Sequence, residues 1–213
     1  MKLKQLFSVL LLIAALFSLT ACGDEVEVYT HEDLVLGTIE ADNTTCTYTA
    51  PIGIVCTLDT NWKLTVGEQQ NELTGTLVDM NDPASISRAL NLGRPIYELY
   101  ALGDTGASLS VCLEDMRVVC GGVITAEEYI RRMEKPTRQQ LEILGMQNLE
   151  VNAGSVDFAG STHYAIHTVG DLMNAKVYET QVFLTGGNYL YTVTVTCYNK
   201  DIRSETLALF SAA

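Results

Sequence analysis

The sequence predicts an α+β domain, an antiparallel β-sheet flanked by helices. Three observations lead there. Short β-branched and aromatic runs alternate with turn residues such as Gly103-Asp104-Thr105-Gly106 and Gly186-Gly187-Asn188. One long stretch after Thr125 carries apolar residues at helical spacing behind a cap. The strands crowd towards the C-terminal half in hairpin-like succession, without the regular strand–helix alternation of a parallel sheet. The chain has 213 residues, a net charge of −13, 47% hydrophobic residues and 18% charged residues. That balance excludes a disordered chain, and 13 Lys and Arg against 26 Asp and Glu exclude a nucleic-acid binder.

The N-terminus reads as an export signal. Lys2 and Lys4 form a basic start, residues 6–17 an apolar stretch, and Leu19-Thr20-Ala21-Cys22 ends it. This three-part layout is a secretory signal over residues 1–21, too short for an ordinary membrane span. Its last four residues resemble a bacterial lipobox, L-[ST]-[AG]-C. The resemblance implies lipidation of Cys22 and anchoring to a membrane outside the cytoplasm, where two or three acyl chains hold firmly and one only marginally. Residues 22–43 then read as the lipidated cysteine and an acidic tether, whose Glu25, Glu27, Glu32 and Asp33 either are repelled by anionic lipid and hold the body off the membrane or form an ordinary solvated linker. The folded domain is expected over 44–213.

Within it, residues 44–49 and 52–58 read as a hairpin around Ala50-Pro51-Ile52-Gly53. Residues 68–79 read as a weak helix. Asp82-Pro83 places a cap and a first-turn proline before a helix over 84–90. Residues 95–102 and 107–113 form a second hairpin across Gly103–Gly106. Thr125 and Glu128 make a capping box; Tyr129, Ile130, Met133, Leu141 and Leu144 give the apolar stripe, and Gly145 the stop. Pro136 is expected to kink or split this helix. Strands follow over 151–158, 163–169, 177–184 and 189–198, and residues 201–210 close as a short helix with Ile202, Leu207 and Phe210 inward.

Five cysteines remain once Cys22 is assigned to lipid. Outside the cytoplasm disulfides are permitted. Cys46 with Cys56, across the first hairpin, and Cys112 with Cys120, across a short loop, are the candidate pairs. The first needs a three-residue loop or a bulge to bring its members opposite. Cys197, alternating with Tyr191, Val193 and Val195, reads as a buried thiol. No spacing matches a zinc site, and no cofactor or metal is implied.

Candidate chemistry is sparse. Asp104-Thr105-Gly106-Ala107-Ser108 is similar to the D-T-G-[AS] signature of aspartic proteases, in which paired carboxylates share a proton. A single copy would need a homodimer, and the same residues are turn chemistry. His163 and His167 lie on strand-like sequence, so their side chains stand about 13 Å apart and cannot share an ion. No G-x-S-x-G elbow occurs, and the acidic run from Asp79 lacks the glycine and final carboxylate of a calcium loop. Strand tyrosines Tyr97, Tyr100, Tyr189, Tyr191 and Tyr198 line either a core or a ligand cleft.

Tyr48, Gly53-Ile54, Leu58 and Trp62, then Ser108–Val111, Phe158-Ala159-Gly160, residues 189–196 and 207–210, together resemble the landmarks of the Mog/PsbP-like fold. The resemblance spans residues 44–210. It implies an antiparallel sheet with helices on its faces, a buried Trp62, and a binding or assembly role. It supplies no catalytic set. The expected function is therefore a non-enzymatic accessory or binding module, lipid-anchored outside the cytoplasm, serving an envelope protein or a small ligand. The alternatives are a hydrolase using Asp104 and a structural spacer lipoprotein.

Overall fold

The computed structural model describes residues 28–65 and 78–213. The signal over 1–21, Cys22 and all but the end of the helix expected over 68–79 lie outside them. Among the described residues eleven strands build two antiparallel sheets. The small sheet holds β1 (Thr38–Ala41), β2 (Thr45–Ala50), β3 (Ile54–Asp59) and, from the far end of the chain, β11 (Phe210–Ala212), in that order. The large sheet contains β4 (Trp62–Leu64), β5 (Ile96–Gly103), β6 (Ser108–Asp115), β7 (Gln147–Phe158), β8 (Ser161–Leu172), β9 (Ala175–Gly186) and β10 (Tyr189–Tyr198). Its order, β4-β5-β6-β10-β9-β8-β7, makes β10 central. Helices α1 (Pro83–Asn91), α2 (Met116–Val119), α3 (Ala126–Ile143) and α4 (Arg203–Leu207) complete the described elements.

Strand alternation divides the core in two. Tyr189, Tyr191, Val193, Val195 and Cys197 of β10 face the small sheet, joining Tyr48, Cys56 and Leu58. Leu190 and Tyr198 face the other way, joining Tyr129, Ile130 and Leu141 of α3. That helix packs across β7, β8 and β9. The molecule is thus small sheet, large sheet, helix: the α+β class read from the sequence.

The caps behave as their residues require. Asp82 accepts from the Ala84 amide at 3.0 Å to start α1. Thr125 accepts from the Glu128 amide at 3.1 Å to start α3, while the Glu128 carboxylate turns to Arg132 instead of back to the cap. At the far end Gly145 takes φ 87°, and the Gly145 and Met146 amides donate to Glu142 and Leu141, closing the helix as a Schellman motif. Pro136 does not split it. Tyr129, Ile130, Thr137 and Leu141 form one buried stripe spanning the proline, and packing of that stripe outweighs the one missing backbone bond.

Three further expectations are corrected. Residues 29–41 are not tether: β1 pairs with β2 from Thr38↔Thr49 to Ala41↔Cys46, and the segment before it is bound to the body. The closing helix ends at Leu207, and Phe210 instead begins a strand pairing with Cys56 of β3. Trp62 is half-buried, its ring lying over Gly103, where a Cβ would meet it at 3.2 Å.

Candidate functional site

The most elaborate polar cluster forms where β6 hands over to α2. Asp115 ends the strand and caps the helix, accepting from the Arg117 amide at 2.8 Å. The Arg117 guanidinium returns to the same carboxylate through Nε at 3.0 Å and Nη2 at 2.6 Å, a bidentate pair. The other ligand of Asp115 comes from 84 residues upstream: His31 Nε2 donates to Oδ2 at 3.1 Å, and its Nδ1 meets Ser87 Oγ of α1 at 3.0 Å. Around this centre Tyr29 bonds Asn91 through both backbone groups, N to Oδ1 at 2.8 Å and O from Nδ2 at 3.0 Å. The Arg117 guanidinium lies 4.4 Å over the Tyr29 ring, and Asp33 accepts from Tyr189 Oη at 3.2 Å. Burial alone would raise the Asp115 carboxyl; Arg117, with His31, outweighs it and holds the group below its ordinary value.

A second fastening lies a few residues further on. The register of β5 on β6 shifts between Tyr97 and Leu99, so Glu98 is the extra residue of a bulge. It turns towards the small sheet, where it accepts from Tyr48 Oη and from the Gly37 amide at 3.0 Å. A side chain at Gly37 would overlap the Tyr48 ring. Burial raises Glu98 against the lowering effect of those two donors. Residues 29–37 therefore form a clasp, pinned at one end by Asp115 and at the other by Glu98.

Ser87, His31 and Asp115 have the connectivity of a hydrolytic triad, but their setting does not suit one. The His31 side chain is 4% exposed and that of Asp115 0%, so the imidazole is closed off from a substrate's leaving group, to which it would have to pass a proton. Ser87 sits inside α1, where the neighbouring amides are spent on helix bonds, leaving no pair among the described residues to face it as an oxyanion hole. The cluster holds a segment in place.

A third polar centre lies on the opposite face of the large sheet. Glu114 lines a cavity of about 10 Å³ with Cys112, Tyr129, Thr137, Gln181 and Thr192, room for one water. Burial pushes its carboxyl up to about 7, and Thr137 Oγ1 has no partner among the described residues. Glu179 is also raised to about 7, again first by burial, although Thr196 and Gln181 donate to it at 3.0 Å each.

The residues singled out from sequence fall elsewhere. Asp104 sits exposed on the β5–β6 turn, closed by the Gly106 amide on the Gly103 carbonyl at 3.0 Å. All five described cysteines are free thiols, so neither expected disulfide forms. The first hairpin has the three-residue loop that pairing needs, but Gly53 must supply its φ of 79°. The loop is therefore residues 51–53, Cys46 falls opposite Leu58, and Cys56 opposite Tyr48. Between Cys112 and Cys120 there is no short loop: β6 runs on to Asp115 and α2 follows. Burial raises both thiols, as it does those of Cys56 and Cys197. His163 and His167 bond separately, to Ser161 Oγ at 2.8 Å and Thr180 Oγ1 at 3.0 Å. The five strand tyrosines are all buried, as core and not cleft. Among the described residues no group of three His, Cys, Asp or Glu is placed to hold a metal, and no helix is long and apolar enough to cross a membrane. Sequence reasoning misses the clasp because residues 22–43 read as acidic; the apolar Leu34-Val35-Leu36 ahead of Gly37 is the available signal.

No protein-family model matches the chain, and no curated protein matches it. Among solved structures it is similar to the cyanobacterial PsbP of Synechocystis sp. PCC 6803, at 12% identity and a TM-score of 0.46, over 89% of this chain and 100% of that one. It is similar to PA94 of Pseudomonas aeruginosa, a protein of unknown function described as a putative regulator, at 10% identity and 0.36, over 82% and 91%. LpqN, involved in cell envelope biogenesis of Mycobacterium tuberculosis, is similar at 13% identity and 0.34, over 84% and 90%. None of the three carries a residue role onto this chain.

Proposed function

We propose that this protein is a non-enzymatic accessory module, lipid-anchored through Cys22 outside the cytoplasm, that works on an envelope protein close to the membrane. The clasp carries the reading. A tether running to residue 43 would give the body a reach of about 70 Å, at roughly 3.3 Å per residue. With Tyr29 already bound to Asn91, only six residues separate the lipidation site from the folded body, a reach of at most about 25 Å. The face carrying α1, α2 and the β9–β10 turn is then held towards the bilayer, which suits a partner embedded there better than a spacer role.

The test is a C-terminally tagged chain, solubilised from native membranes in mild detergent and compared with Cys22→Ala. Membrane association that requires Cys22, with a stoichiometric envelope protein co-purifying from wild type alone, is the expected result. Cys22→Ala remaining in the membrane fraction would overturn the anchor. Peptide cleavage by the purified chain, abolished by Asp104→Ala, would overturn the non-enzymatic reading.

A further inference from the structure

The large sheet ends in β7, a twelve-residue edge strand that is guarded over only half its length. Arg138 of α3 reaches around the edge and donates to the carbonyls of Leu149 and Val151 at 3.0 and 3.1 Å. Those carbonyls therefore point away from β8. The two-residue turn Ala159-Gly160, with φ of 47° and 82°, makes Phe158↔Ser161 a hydrogen-bonded pair. Alternation back from there places the amides and carbonyls of Ala153, Ser155 and Asp157 on the outer edge too. Ser155 O receives only a long approach from His167 Nε2, at 3.4 Å.

This outer half lacks the usual protection of an edge. It holds no Lys, Arg or Pro; residues 152–155 are exposed Asn, Ala, Gly and Ser that block nothing, and its single charge is the exposed Asp157 near the turn. An added strand finds three residues with outward backbone groups.

We propose that its occupant is a second copy of this chain, paired antiparallel through β7 about a two-fold axis at Ser155. That register sets Ala153 opposite Asp157 of the other copy and Ser155 opposite itself, so all three open residues are bonded in each copy. Any register centred nearer Val151 runs into Arg138. The charges match as well: Asp157 shares the α3-side face with Val151, Ala153 and Ser155, and the pairing carries it alongside Arg138 of the other copy. One Asp157 oxygen is held by Thr162 Oγ1 at 2.8 Å, leaving the second for that pair. The small side chains let the backbones approach, and the result is one continuous sheet of fourteen strands from two seven-stranded ones. The proposal does not rest on the lipid anchor.

The experiment is sedimentation equilibrium of the full chain in detergent micelles over a concentration series, with Ser155→Pro and the charge variants Asp157→Arg and Asp157→Arg/Arg138→Asp. Ser155→Pro removes an outward amide and leaves the bonds to β8 in place. The expected result is a monomer–dimer equilibrium, weakened at least about tenfold by the proline and by Asp157→Arg, and recovered in the reciprocal double variant. Circular dichroism of each variant confirms that it is folded. A chain that stays monomeric into the millimolar range would overturn the proposal. So would a dimer indifferent to Ser155→Pro, which would put the interface elsewhere, or assembly only with a different protein's strand.

Discussion

Glu114 and Asp115 are neighbours in sequence, yet the fold treats them in opposite ways. Strand alternation turns Asp115 towards the clasp, where Arg117 and His31 hold it ionised. It turns Glu114 into a cavity under α3 where burial drives its carboxyl up to about 7. One acid is surrounded by donors and serves as a fastening point for a helix and a distant segment. The other faces sulfur, hydroxyl and aromatic groups, and its charge is a liability. The difference shows that the clasp is built by supplying partners to a charge, whereas the space under α3 favours the protonated form of an acid.

Breaking the first of the pair gives the largest effect. Asp115→Ala removes the α2 cap, the bidentate Arg117 bond and the His31 bond together, and should cost about 3 kcal/mol or more in urea unfolding at neutral pH. The wild type loses part of that contribution in acid, since a carboxyl held below its ordinary value stabilises above that value and ceases to as pH falls through the folded one.

Glu114 runs the other way. Its folded value near 7 lies above the ordinary 4.5, so the folded state holds the proton more tightly. Stability is complete below about 4.5 and declines as pH rises through 7. Glu114→Gln should therefore stabilise the protein by up to about 3 kcal/mol at pH 8, since each tenfold change in proton affinity is worth about 1.4 kcal/mol, and by almost nothing at pH 4.5. Parallel urea titrations at the two pH values measure the difference directly.

Smaller changes sharpen the contrast further. Gly37→Ala presses a methyl into the Tyr48 ring and should cost about 1–3 kcal/mol, with increased exchange of the clasp amides. Asp104→Asn, on its exposed turn, should move stability by less than about 0.5 kcal/mol. A larger effect there would show that the turn carries an interaction the exposed position does not explain.

The strands and the capped helix are legible in the sequence because their signals are local: period-two alternation, turn glycines, Thr125 with Gly145. Two kinds of feature are not. The Gly53 loop moves the first hairpin by one position, and a single step in a loop shifts the pairing sum by two, enough to separate Cys46 from Cys56. The bulge at Glu98 leaves no mark, since Ile96-Tyr97-Glu98-Leu99-Tyr100 reads as an ordinary strand with one acid in it. The clasp is the costliest omission. His31 gains meaning only from Ser87 and Asp115, 56 and 84 residues away, and no local pattern announces a partner at that separation.

Whether residues 29–37 belong to the body decides how far the proposed anchor lets it stand from a membrane. Amide hydrogen exchange of the full chain, wild type against Asp115→Asn, reads this most directly at Tyr29 and Gly37. Both amides should be protected in the wild type, Tyr29 by Asn91 and Gly37 by Glu98, with Tyr29 losing protection in the variant. Exchange of both at the rate of an unstructured peptide in the wild type would contradict the clasp and restore the long tether.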